Sequence, residues 1–163
     1  MNARSRSPGS VADPERLARL GPPLLGLIVI EFLLGMAVNL FVTVPTGGGA
    51  SVLGASAVLD AHLVVAVLLI GISANALRLG LRSGRRAAVA LTVVGFLGAV
   101  GASLAGLAVL GGSGPGASYA MSVGFAALLI EAGYLLRRAL PSGAPSERPS
   151  AGAAGARMPP GPV

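Results

Sequence analysis

The chain has 163 residues, of which 53% are apolar and 11% charged, with no Cys and no Trp; its mean hydropathy is +0.80. So few charges cannot cover the surface of a water-soluble domain of this size, and the lack of Cys excludes disulfides, thiol nucleophiles and Cys-ligated metal centres. The net charge of +6 comes from 12 basic residues, all Arg, and no aromatic residues are interleaved among them to stack bases, so no nucleic-acid partner is expected. With the excess of Ala, Gly and Pro, the missing Lys points to a GC-rich coding sequence more than to a mechanism.

Residues 1–19 read as a polar tail carrying Arg4, Arg6, Arg16 and Arg19. Asp13-Pro14-Glu15 has the form of a helix start, with Asp as N-cap, Pro at the first helical position and an acid in the first turn. A short interfacial helix is expected there, running into the first span with a kink or fresh start at Pro22 and Pro23. The apolar run that follows exceeds the 7–15 residues of a signal-peptide core, so it is expected to remain uncleaved.

The first span, 20–44, reaches about 37 Å, enough to cross a hydrocarbon core of about 30 Å with some tilt. Its Leu, Ile, Val and Phe residues contribute about −6 kcal/mol to insertion, against about +3 kcal/mol for an ionised Glu31. The span therefore inserts, and Glu31 should face protein or water. Glu31, Gly35 and Asn39 are spaced i, i+4, i+8 and share one stripe, on which Gly35 lets a neighbouring helix come close.

Residues 45–55 form a Gly-rich, uncharged loop. The second span, about 56–77, contains Asp60, His62, Ser73 and Asn75. Asp60 is expected at the outer headgroups, with Ser73 and Asn75 forming hydrogen bonds between helices. The segment RLGLRSGRR, with Arg78, Arg82, Arg85 and Arg86, reads as the connection to the third span, about 87–110. That span carries no charge, and its Gly98, Ala102 and Gly106 form a small-residue ridge for close helix packing. Residues 111–117 are a second uncharged loop. The fourth span, 118–136, holds Glu131 and ends at Arg137-Arg138. Tyr119 and Tyr134 mark its outer and inner boundaries. The Pro-, Gly- and Ala-rich segment 139–163 is expected to be disordered.

Every Arg falls in the N-terminal tail, around the second connection or in the C-terminal segment, and none in the two Gly-rich loops. The positive-inside rule then places both termini in the cytoplasm and supports an even number of spans. The expectation is an all-α, integral membrane four-helix up-down bundle, multi-pass in a bacterial plasma membrane, with Arg clusters facing anionic lipid headgroups. Its partners are the bilayer and, in one reading, other membrane proteins or a second copy.

Three functional readings stand. There is no phosphate loop, nucleophile elbow, zinc-binding HExxH or haem-attachment CxxCH, so no catalytic motif and no metal site is expected. A binding or accessory component of the membrane is the first reading. The second is a proton-coupled small transporter: Glu31 and Glu131 are placed about 4–5 Å apart in depth, and two close carboxyls in low dielectric cannot both ionise cheaply. The plain alternative is that each acid is hydrogen-bonded to a helix, or that Glu131 reaches Arg138. The third is a haem-binding electron carrier, with His62 as axial ligand and Met36 or Met121 opposite it, or with His62 from two copies. His62 is placed about 9 Å outward of the midplane, near Asn39, with a hydrogen bond to Asn39 or a place near Asp60 as its plain alternative. Asn39, Asn75, Glu31, His62 and Glu131 are thus the intramembrane polar candidates.

The run Glu31-Phe32-Leu33-Leu34-Gly35-Met36-Ala37-Val38-Asn39-Leu40-Phe41-Val42, followed one helix later by Ala61-His62, resembles a recurring type of small bacterial four-span membrane protein. The resemblance covers the first two spans, carries no established activity, and implies that Glu31, Asn39 and His62 are the positions to test.

Overall fold

The structure, a computed structural model, describes residues 12–42, 53–54, 56–112 and 115–140. The Arg4 and Arg6 tail, most of the first Gly-rich loop and residues 141–163 of the segment expected to be disordered lie outside the described residues, while Ala139, the first residue of that segment, ends α5 as helix.

Among the described residues five helices follow one another: α1 (Ala12–Ala18), α2 (Gly21–Phe41), α3 (Ala57–Arg82), α4 (Arg86–Leu110) and α5 (Pro115–Ala139). α2 to α5 are each long and apolar enough to cross a membrane. α2 is flanked by α3 and α5, and α4 by the same two, so the four long helices form a ring with α2 opposite α4 and α3 opposite α5. α2 and α5 are antiparallel. Gly21 at the start of α2 lies against Leu135 and Leu136 near the end of α5, and Phe32 meets Phe125 with ring centroids 5.9 Å apart.

The interior is narrow. Leu24 and Ile28 of α2 join Leu69 and Ala76 of α3, Ala88 and Ala99 of α4, and Leu128, Ala132 and Leu135 of α5. The outward faces are as apolar as the interior: Leu33, Leu40, Val64, Val67, Leu97, Leu104 and Ile130 are all at least half exposed. A belt of this kind around a bundle is an aggregation surface in water and an ordinary one in lipid tails, where every backbone group is already satisfied inside its own helix. The protein is an all-α, multi-pass membrane protein.

Two local differences from the sequence reading have physical causes. α3 does not stop at Leu77 but continues through Arg78 to Arg82. Nothing before Ser83-Gly84 interrupts a helix, and Leu79 and Gly80 are buried, so packing carries α3 past the point where apolar residues give way to arginines. The turn that ends it is short. Ser83 N–H donates to Leu79 and Gly80 carbonyls at 3.0 and 3.1 Å, and Gly84 takes φ +64°, the left-handed conformation that Gly adopts without strain.

α1 begins at Ala12, one residue before the expected cap, and is more than an interfacial helix. Leu17 and Ala18 are buried, and α1 packs on α3 and α5. The extension of α3 supplies part of its seat.

Candidate functional site

The stripe on α2 and the histidine on α3 meet. His62 Nδ1 lies 3.1 Å from Glu31 Oε1, with side-chain exposures of 21% and 10%. The nitrogen is at ion-pair distance but off the line of a directed hydrogen bond, and Glu31 Oε2 has no partner among the described residues. Gly35, one turn along α2, faces the same ring: a Cβ there would stand 3.4 Å from His62 Cε1, in van der Waals contact. A larger residue at 35 would push the ring away from the carboxyl below it.

His62 therefore stands opposite Glu31 and Gly35, deeper than the level of Asn39 assigned from span midpoints. Midpoints place each helix separately, whereas the contact of His62 with Glu31 and Gly35 fixes the register of α3 on α2. Asn39 is exposed on the outer surface of α2. Asp60 Oδ1 accepts a hydrogen bond from Gly54 N–H at 3.0 Å and so ties the incoming loop to the first turn of α3.

Glu131 is in a different setting. It is fully buried, neither carboxyl oxygen has a partner among the described residues, and the side chain lies directly on Gly95 of α4, in the space a Cβ would occupy. Around it, α4 and α5 are in backbone contact. A Cβ on Gly98 would come within 2.7 Å of the Gly124 carbonyl and 2.8 Å of Ala127, and one on Gly124 within 2.9 Å of Ala102 Cβ. The ridge of Gly98, Ala102 and Gly106 thus lies along α5, with Gly106 facing the Met121 sulfur.

The two acids do not share a site. The Phe32–Phe125 register sets Glu31 level with residue 126 of α5, so Glu131 is five residues, about 8 Å, nearer the arginine-bearing end. Each carboxyl also faces a different helix, α3 for Glu31 and α4 for Glu131. Nor does Glu131 reach Arg138, whose guanidinium lies over the Tyr134 ring at 5.3 Å.

Asn75 bonds within its own helix, accepting from Arg78 at 3.2 Å, rather than across helices. Ser73 Oγ is buried with no partner among the described residues. Of the two methionines considered as axial ligands, Met36 is exposed on α2, and Met121 belongs to α5, diagonal to the helix that carries His62. No group of three or more His, Asp or Glu side chains with metal-binding geometry occurs among the described residues.

Sequence reasoning did not single out Gly21, Gly80, Gly95 or Gly124, each of which lets another chain segment into its own Cβ position. A helical glycine in an apolar span is itself a signal; which partner it admits depends on helix register. Comparison with protein-family models, curated proteins and solved structures returned no match.

Proposed function

We propose that the protein is a small accessory component of the membrane that binds a proton at the Glu31–His62 pair. The observation that carries this is the 3.1 Å approach of an imidazole and a carboxyl from two different apolar helices. An ionisable side chain inside a span is expensive and is kept facing protein, where it most often serves a functional role. The pair with one proton has no net charge, whichever atom holds it, and an uncharged state suits a hydrocarbon surrounding. Losing or gaining a proton creates a charge there and alters how α2 and α3 attract one another. The arginine-bearing end faces the cytoplasm and its anionic headgroups, as the positive-inside rule requires.

Proton-coupled transport through Glu31 and Glu131 is the second reading. The fully buried, unpartnered Glu131 carboxyl favours it, standing about 8 Å from the level of the pair along the bundle axis. One experiment separates the two. Infrared titration of the reconstituted protein should show a carboxyl band that disappears in Glu31→Gln, and a pH-sensitive dye in the same vesicles reads proton flux. A band without flux supports the accessory role; flux abolished by both Glu31→Gln and Glu131→Gln establishes transport. Absence of any titrating band between pH 4 and 9 and of any flux defeats both. Reporter fusions at Gly48 and Gly114 should appear outside and those at Ser83 and Ser146 inside; the reverse pattern overturns the orientation.

A further inference from the structure

α1 folds across the end of the bundle, and this brings together three arginines that the sequence keeps far apart. Arg19 follows α1, Arg85 lies in the α3–α4 turn and Arg138 is in the last turn of α5. With Glu15, Ala18 and Ala139 they line an open cleft of about 350 Å³. Glu15 lies 3.8 Å from Arg19, and both side chains are more than 70% exposed, so this ion pair is loose. Arg85 and Arg138 have no carboxylate within 4.0 Å among the described residues.

Three positive charges thus face one negative charge. Beneath them, Leu17, Ala18, Ala88, Tyr134 and Leu135 make an apolar floor around a small cavity of about 20 Å³. The Tyr134 ring under the Arg138 guanidinium holds it in place, as cation–π contacts do.

We propose that this cleft is a site for one phosphate group, occupied by the phosphodiester headgroup of an anionic phospholipid. Guanidinium groups from several directions match the tetrahedral oxygens of a phosphate and bind it bidentately. Ala139 lines the cleft and Leu140, next in the chain, is exposed, so apolar surface adjoins the arginines and suits a ligand whose remainder is acyl chain, whereas a free phosphate ion gains nothing from it. The inference rests on the membrane reading and deepens its headgroup contact from diffuse attraction to a defined pocket. The other arginines at this end, Arg78, Arg82, Arg86 and Arg137, do not line it.

The test uses the full chain in mild detergent, mixed with phosphatidylglycerol or phosphatidylcholine, with bound lipid counted by native mass spectrometry. Wild type should retain one phosphatidylglycerol and no phosphatidylcholine, and excess inorganic phosphate should not displace it. Arg85→Gln with Arg138→Gln should weaken retention by about tenfold or more. Arg86→Gln with Arg137→Gln, an equal loss of charge at the same end, should leave it unchanged. Arg85→Lys with Arg138→Lys keeps the charge but not the fork, and retention should fall in between.

Equal loss in both Gln pairs means diffuse attraction and overturns the site. Equal retention of phosphatidylcholine also overturns it, as does displacement by inorganic phosphate. Carbonate extraction of the same variants is read separately. Release of the wild-type chain would sink the membrane reading itself, whereas an embedded chain with no bound lipid sinks only the pocket.

Discussion

The α2–α3 and α4–α5 contacts each contain one buried glutamate, and they accommodate it in opposite ways. Between α2 and α3 the helices leave room for an imidazole beside Gly35, and it stands as the neighbour of Glu31. Between α4 and α5 small residues bring the backbones together, and Glu131 fits only because Gly95 has no side chain. One acid sits in a polar gap and the other in a tight, apolar seam. A carboxyl in a span can therefore be tolerated through chemistry or through shape, and the two solutions fail differently when mutated.

The largest expected effect is on the tight seam. Gly95→Leu would drive its side chain into Glu131 and should lower stability by about 3 kcal/mol, the upper end of ordinary overpacking costs; unfolding in detergent checks it. Wild-type stability in that variant would mean that α4 and α5 are not in backbone contact. His62→Ala should cost about 2 kcal/mol, since it leaves the Glu31 carboxyl without its neighbour.

A double-mutant cycle of His62→Ala with Glu31→Gln sharpens this. It should give a coupling of about 1 kcal/mol, whereas independent sites give close to zero. Glu131→Leu should go the other way and raise stability by about 1–2 kcal/mol, because an unpartnered polar group is replaced by an apolar one. If it instead lowers stability, Glu131 has a partner that matters, and the contrast between the two contacts collapses. The smallest change is at the outer edge between α2 and α5. Phe32→Ala should cost about 1 kcal/mol, and Phe125→Ala in addition should cost little more, as a coupled aromatic pair requires.

Much of the architecture was legible in the chain. The Gly-rich breaks, the lengths of the apolar runs and the absence of charge from 87–110 define four spans without knowledge of packing. The Glu31–Gly35–Asn39 stripe was also readable, because helical periodicity fixes what lies on one face. What faces that stripe was not. Depths taken from span midpoints put His62 level with Asn39, because they place each helix alone and hold nothing of the α2–α3 register that sets His62 against Glu31. Gly95 drew no notice for a related reason: its role exists only once α5 is set against α4, and no single-helix pattern contains that register. The arginine cleft likewise depends on where α1 folds, which is decided by Leu17 and Ala18 finding α3 and α5.

The seat of α1 has a consequence for biogenesis. Leu17 is made early, but part of the surface that buries it belongs to the last long helix, around Leu135. At translation rates of about 5–20 residues per second, the intervening chain takes about 6–24 s to emerge. For that time the amino-terminal helix has no finished berth and must wait at the bilayer rim. Closure of this end of the bundle is thus a late event that joins α1 to α5, and a ribosome stalled before α5 would leave the arginine end unassembled.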